Sequence, residues 1–545
     1  MFKAVILLKR REDSSVQEFR SWWIGEHAPL ARQLPGVKRI CFNVVESEEA
    51  LYDGISELWF ETEKDFEAAY QSDIGKTVAA DSMAHFSRRD RMFVKENVVE
   101  PTERLYQNSI KTILCKSSLL MMLDHLFCNV NLPDGTEGVD VGIREGKIVV
   151  VEKGLDAEAL QTTEGKNCML SAPFVDSHFH MDATLSLGQP RLNQSGTLLE
   201  GIQLWGELKP ELTHEAIKDR ALRYCDLAVS QGLLAVRSHV DVCDSRLLAV
   251  EALLEVKNQV KPYLDLQLVA FPQDGFYRSK NAESNLLKAL DLGVEVVGGI
   301  PHFERTMEEG RLSVDALCRI AADRGLMVDM HCDESDDPMS RHVESLASVA
   351  IRYGLQGRVT GSHLTSMHSM DNYYVSKLIP LMLESGMHAI ANPLINITLQ
   401  GRHDSYPKRR GMTRVPELMA SGINVAFGHD CVMDPWNPLG TADMLEVANM
   451  GLHVAQMTGI EAMKSCYQAV TANAACIMNL EGYGLQPGCN ADLVMLEAHD
   501  PIEAIRLKAK RRMVMRRGKV IAENPSTPTR LNLDGRRSEL DQRFV

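Results

Sequence analysis

The stretch APFVDSHFH, residues 172–180, decides how the rest of the chain is read. A short apolar run enters it, and His178 and His180 close it two positions apart. In an extended strand residues two apart share a side, so both imidazoles reach one point in space. A histidine pair of this kind is also common on solvated surfaces. What changes its weight is a series of seven further apolar runs that finish in polar side chains. They are LLAVRSHVDV (233–242), LDLQLVAFPQ (264–273), VEVVGGIPHFE (294–304), LMVDMHCDE (326–334), RVTGSHLT (358–365), MHAIANP (387–393) and INVAFGHDC (423–431). Helix-like stretches separate most of them. Eight such runs joined by amphipathic helices predict an α/β fold, a parallel (β/α)8 TIM barrel over residues 173–483. Barrel chemistry is built where strands finish, which is where these polar residues fall.

Four strand ends converge on one chemistry. His331 ends the fifth run, His363 the sixth and Asp430 the eighth. A metal held by His178, His180, His331 and Asp430 leaves a position for water, the pattern of a catalytic site. Iron and zinc both accept histidine and carboxylate, so the expectation is one divalent ion, iron or zinc. Glu334, three residues beyond His331, suits a proton shuttle to a substrate ring nitrogen. On spacing alone it also fits a solvated loop carboxylate among Asp333, Asp336 and Asp337. His363 is placed to orient the attacking water, and Asp430 to take its proton and pass it to the leaving group. Gln273 offers a neutral amide for an amide-like edge. His239 and His302 are expected to form walls.

The flanks read differently. A chain of 545 residues exceeds one ordinary core. FKAVILLKR (2–10) reads as a strand, and SSVQEFRSWWIGEHAPLARQL (14–34) as a serine-capped helix that Pro29 interrupts. VKRICFNVV (37–45) and ISELWFET (55–62) read as strands, and EKDFEAAYQS (63–72) as a helix. That order predicts a ferredoxin-like α+β domain over 1–105, followed by a linker at 106–122. A single open sheet in so small a domain calls for a cover, and a second copy supplies one. A homo-oligomer dimerised through this domain is therefore expected, with Trp22, Trp23 and His27 read as core and dimer face; the other reading is a domain that binds or transforms a small molecule in a pocket these three residues line. Alternating segments broken by Pro-Asp-Gly and Glu-Gly-Lys turns predict a β-sandwich assembled from 123–172 and 484–530.

Composition narrows the partners. The formal net charge is -15, which argues against nucleic acid or an anionic membrane surface. No apolar run approaches the ~20 residues of a membrane span. The 12 cysteines contain no C-x-x-C, so neither a disulfide framework nor a zinc ribbon is indicated. MFKAVILLKRRED at the start does not read as a signal peptide. A cytoplasmic protein with reduced thiols is the expectation.

Long motifs then carry a resemblance. GQPRLNQSGTLLEGI (188–202), EVVGGIPHFE (295–304), DMHCDESDD (329–337), SHLTSMHS (362–369), ANPLINITLQGR (391–402), YPKRRGMTRV (406–415) and DPWNPLGTADML (434–445) are similar to bacterial cytosine deaminases of the amidohydrolase superfamily. This likeness runs from Leu123 to about Asn524. The segment GEHAPLARQLPGV (25–37) resembles the EthD family of dimeric α+β barrel domains. The first resemblance implies one catalytic iron or zinc ion at His178, His180, His331 and Asp430. It implies Glu334 as proton shuttle, His363 beside the activated water, Gln273 on the pyrimidine amide edge, and Leu198 and Trp436 as pocket walls. The family lacks a bridging carboxylated lysine, and no lysine ends the fourth run here. The implied activity is hydrolytic deamination of cytosine or a related amino-substituted heterocycle, releasing ammonia.

One position departs. Cys431 stands where cytosine deaminases carry a second aspartate against the substrate ring, so this pocket has lost a charge and an acceptor. That admits other small amino-heterocycles, including N-alkylamino-s-triazines of the isopropylammelide type. A non-catalytic scaffold is the alternative of another class, but every expected ligand is present. The H-x-E of a different deaminase fold occurs at His302-Phe303-Glu304, without its P-C-x-x-C partner.

Overall fold

The computed structural model describes residues 2–11, 13–45, 52–94, 122–526, 529–536 and 539–540. The linker expected at 106–122 lies outside these, Met122 excepted. The chain forms two compact units that divide near residue 120.

The first unit opens on strand β1 (Phe2–Arg10), whose Ala4, Ile6 and Leu8 alternate into the core. Ser15 and Glu18 form a reciprocal capping box that starts helix α1 (Val16–Trp22). The interruption expected from Pro29 takes the form of a widened turn, not a break. A π-helical segment, Trp23–His27, joins α1 to α2 (Ala28–Ala31). Proline lacks an N–H and crowds the carbonyl four residues earlier, which a wider turn relieves. Then come β2 (Arg39–Val44), β3 (Gly54–Phe60) and α3 (Glu63–Gln71). Two elements absent from the sequence reading complete the unit: α4 (Asp73–His85) and β4 (Phe86–Val94). The antiparallel sheet runs β2-β3-β1-β4, so the added strand is an edge.

The second unit begins with β5 (Leu123–Val130), β6 (Val139–Arg144), β7 (Lys147–Glu152) and β8 (Ala159–Glu164), one four-stranded sheet. After the short β9 (Met169–Ser171) the chain enters an eight-stranded parallel sheet. Its strands are β10 (Phe174–Phe179), β11 (Leu233–Asp241), β12 (Asp265–Phe271), β13 (Val296–Gly299), β14 (Met327–Cys332), β15 (Val359–His363), β16 (His388–Ala391) and β17 (Val425–Phe427). All eight match the apolar runs. The seam between first and last strand is closed by backbone at the polar end: Asp430 N donates to His178 O at 2.9 Å, and His180 N to Asp430 O at 3.0 Å. At the barrel centre a fully buried ion pair, Arg237 to Asp329 at 2.9 Å, is completed by Ser362 Oγ on the same carboxylate at 2.7 Å.

Beyond the barrel, β18 (Leu493–Leu496), β19 (Arg511–Arg516) and β20 (Lys519–Glu523) form a second four-stranded sheet. Its remaining strand is β9, antiparallel to β18. Phe127 and Ile143 of one sheet share an apolar cluster with Leu493 and Met515 of the other. Among the described residues no helix is long and apolar enough to cross a membrane.

Candidate active site

The strand ends bring the expected metal set together. His180 Nε2 lies 2.9 Å from His331 Nε2 and 3.4 Å from Asp430 Oδ1; His178 Nε2 lies 3.6 Å from the same oxygen. These groups are buried, and both ring nitrogens of His178 and Nδ1 of His331 have no hydrogen-bond partner. Buried polar atoms left unpaired cost on the order of 1–3 kcal/mol each. One nitrogen from each ring together with the carboxylate fits a divalent ion, which would satisfy the ring nitrogens that face the cluster. The cluster is wider than expected. His239, read as a wall, joins His178, His180 and His331 with ligand atoms within 4.8 Å of one another, and His363 does so with His178, His331 and Asp430.

Backbone strain accompanies the site. Asp430 and His363 both adopt left-handed conformations, each with φ of 70°. Such angles in non-glycine residues cost about 1–3 kcal/mol and concentrate where side chains are aimed for chemistry. Asn396 Nδ2 contacts His363 Nδ1 at 3.0 Å and Asn392 Nδ2 at 3.3 Å. Asn392 Nδ2 is equally 3.3 Å from His363 Nε2, so the two amides hold the ring from both sides, with Nε2 3.8 Å from Asp430 Oδ2. The two asparagines were not singled out in the sequence; Asn392 follows the end of β16, which was the available signal, and Asn396 lies in the short helix Pro393–Leu399 beyond it.

Electrostatics separate the carboxyls. Burial pushes Glu334 up to about 8, so it carries a proton at neutral pH. Its Oε1 lies 3.5 Å from His363 Nδ1. Asp430 is raised well above the usual carboxylate range by burial, then by the charges of Glu334, Asp434 and Asp176. Burial holds His178, His180, His331 and His363 well below the ordinary imidazole value, which keeps their lone pairs free. Asp176, which the sequence reading passed over, accepts from the backbone N–H of His178 at 3.2 Å and of His429 at 3.1 Å. It thereby ties the first strand to the last beneath the cluster.

A cavity of about 210 Å³ opens above these groups. His180, His331, Glu334, His363 and Asp430 face it, together with Gln273, Leu198, Cys431 and Trp436; His178 is not among its lining. Glu304 holds the loop behind Gln273, accepting from the backbone N–H of Phe276 (2.5 Å), Tyr277 (3.2 Å) and Arg278 (3.1 Å). Cys431 packs with Ile395 and Leu399, and Leu198 and Trp436 complete that apolar patch. Its Sγ lies 3.6 Å from Asp430 Oδ1, and burial raises the thiol well above its ordinary value. A thiol so held is neutral and behaves as a small apolar surface. Gly201, on helix α5 (Leu198–Leu208), lets the Trp436 ring close in: a Cβ there would stand 2.3 Å from Trp436 Cδ1.

Known proteins resemble this arrangement. A sequence model of the amidohydrolase family matches residues 162–522, and one of the EthD domain matches residues 11–90. The chain is similar to 5-methylcytosine deaminase from Klebsiella pneumoniae, whose crystal structure holds 5-fluorocytosine. Identity is 40%, TM-score 0.73, with 74% of this chain and 99% of that chain covered. N-isopropylammelide isopropyl amidohydrolase of a Pseudomonas species is 28% identical over 412 residues, 74% of this chain and 98% of that protein. Pterin deaminase of Rhizobium rhizogenes is 26% identical over 394 residues, covering 71% and 89%.

Proposed function

The chain belongs to the amidohydrolase family, a hydrolase acting on C–N bonds, and on that premise we propose that its barrel deaminates 5-methylcytosine or a closely related 5-substituted amino-pyrimidine. The observation that carries this reading is the setting of Cys431. A small neutral thiol among Ile395 and Leu399 offers an apolar substituent a dry surface where an aspartate would offer a charge. The 40% identical deaminase supports the same class of ring.

A divalent ion held by His178, His180, His331 and Asp430 would supply the polarisation that lets water attack near neutral pH. The residues of the chain do the rest. Gln273 pairs with the amide edge of the ring, and Leu198 and Trp436 fix its plane. His363 orients the attacking water, and Asp430 takes a proton from it. Glu334 gives its own proton to the ring nitrogen beside the amino-bearing carbon. The proton held by Asp430 passes to the amino group, the C–N bond breaks and ammonia leaves, while the hydroxyl proton of the adduct returns to Glu334 and leaves the ring carbonyl. The apolar walls exclude bulk water and strengthen each of these interactions.

The test is an ammonia-release assay of metal-loaded protein over cytosine, 5-methylcytosine and isocytosine, with amine release from N-isopropylammelide measured alongside. We expect kcat/KM for 5-methylcytosine to exceed that for cytosine. Silence on every pyrimidine with metal bound would overturn the reading, and amine release alone would assign the site to N-alkylamino-s-triazines.

A further inference from the structure

The metal cluster holds one imidazole more than the proposed reaction uses. His239, near the end of β11, is fully buried, and neither of its ring nitrogens has a hydrogen-bond partner among the described residues. Ligand atoms of His178, His180, His239 and His331, one from each ring, lie within 4.8 Å of one another. The His239 ring stands 4.3 Å from that of His178, 4.6 Å from His331 and 5.3 Å from His180, centre to centre. Asp430, His180 and His331 reach the cavity, whereas His239 does not line it.

What stands behind His239 bears on its role. Its Nε2 is 3.7 Å from Asp329 Oδ1, too far for a hydrogen bond. That carboxylate is already held, by Arg237 on Oδ2 and by Ser362 on Oδ1. A carboxylate on the far side is the usual backing of a metal-bound imidazole, which turns its second N–H toward it. Asp329 stands in that place without satisfying the ring. The strand beneath is fixed: Met181 N donates to Ser238 Oγ at 2.8 Å, and Asp241 N to Asp182 Oδ2 at 2.9 Å. A packing role accounts poorly for the residue. Two unpaired ring nitrogens in a dry interior are costly, and an apolar side chain of similar size would carry no such cost.

We propose that the cluster contains a second, inner ion position, made by His178, His180, His239 and His331, which takes copper(II) in place of the catalytic ion and leaves it no open side toward the substrate. This rests on the metal site of the proposed function and adds a way of switching it off. The two positions share three imidazoles, so they serve one ion at a time. Asp430 is the fourth ligand on the cavity side, and there a position stays free for water. His239 is the fourth ligand on the buried side, and four imidazoles close the shell. The two donor sets also sort ions by chemistry. Four nitrogens favour copper(II), which binds such ligands more tightly than iron(II) or zinc, while the set with a carboxylate also suits those two.

The test titrates full-length, zinc-loaded protein with copper(II) sulfate and reads metal content and electron paramagnetic resonance together. One copper is expected to enter as one zinc leaves, with the hyperfine pattern of four nitrogen ligands. Sodium azide, which binds an open copper position, should leave that spectrum unchanged. His239→Gln should weaken copper binding at least about tenfold and reduce the pattern to three nitrogens. Asp430→Asn should keep all four. Circular dichroism establishes folding of each variant, and the wild-type and Asp430→Asn spectra remain decisive if His239→Gln fails to fold. Three nitrogens in the wild type overturn the proposal. So does a shift on adding azide, a four-nitrogen spectrum that survives His239→Gln, or one that is lost with Asp430→Asn. The spectra do not depend on turnover, so a failed deamination assay overturns the proposed function and leaves this result standing.

Discussion

At the scale of single residues, Glu334 and Cys431 divide the labour in the reaction proposed for the barrel site. Glu334 is the carboxyl that burial keeps protonated, with its Oε1 near His363. Glu334→Gln removes the transferable proton while preserving shape, so kcat should fall by roughly 10²–10⁴-fold with bound metal retained. Ammonia release and metal analysis on the same preparation check this; a loss below tenfold would remove Glu334 from proton transfer. In the proposed reaction Cys431 carries selectivity. Cys431→Asp places a charge beside Ile395 and Leu399, and the ratio of kcat/KM for cytosine over 5-methylcytosine should rise by about tenfold or more, the worth of roughly 1.4 kcal/mol. A flat or falling ratio, measured in paired assays, would show that position 431 does not read the ring substituent. Both residues were legible in the sequence because they follow a strand end. Asp176 was not, since a carboxyl inside an apolar run looks like a strand residue until its two backbone partners are seen.

At the scale of elements, what could be read depended on how strongly a segment declares its environment. The eight barrel strands are buried on both sides, so each appears as an unbroken apolar run. β4, FSRRDRMFV, has four charged residues along an edge, and nothing in its alternation marked it as a strand. α4, with small and polar residues along its faces, was equally quiet. Asn392 and Asn396 escaped notice for a related reason: their work is done on a histidine that belongs to another strand. Helix α5 carries its own test. Gly201→Ala would drive a Cβ into the Trp436 ring, which can yield only toward the cavity or outward. We expect KM to rise several-fold with metal content and melting temperature little changed. An unaltered KM would mean that the close approach of α5 does not position Trp436.

At the scale of the molecule, buried carboxyls near the barrel mouth link stability to pH. Burial raises Asp176 and Asp182 to about 7 and Glu334 to about 8, against roughly 4 in an unfolded chain. Between those values the native state holds more protons than the unfolded one, so this contribution is present at low pH and lost as pH rises. A divalent ion in the cluster acts oppositely, favouring ionised carboxylates nearby. Below about pH 6.5 the buried neutral histidines oppose the carboxyls, because the unfolded chain protonates them, so the carboxyls decide the sign only above that range. Chelator-treated protein should therefore melt at lower temperature at about pH 8.5 than at about pH 7, and reloading the metal should flatten that slope. A melting temperature that climbs between those two pH values after chelation would contradict this. The second unit also has a peculiarity of assembly. β9, at residues 169–171, finds its partner β18 only at residues 493–496. At ~5–20 residues per second of synthesis, roughly 15 to 65 seconds separate the two strands as they leave the ribosome. Through that interval β9 is bonded to Asn131 on one side while the side that β18 will cover stays open, and the sheet flanking the barrel stays unfinished. The N-terminal strands pair wholly among themselves by Val94, so that domain can finish folding during the wait. Its early completion gives the growing chain a folded head while the barrel is still waiting for its last strands.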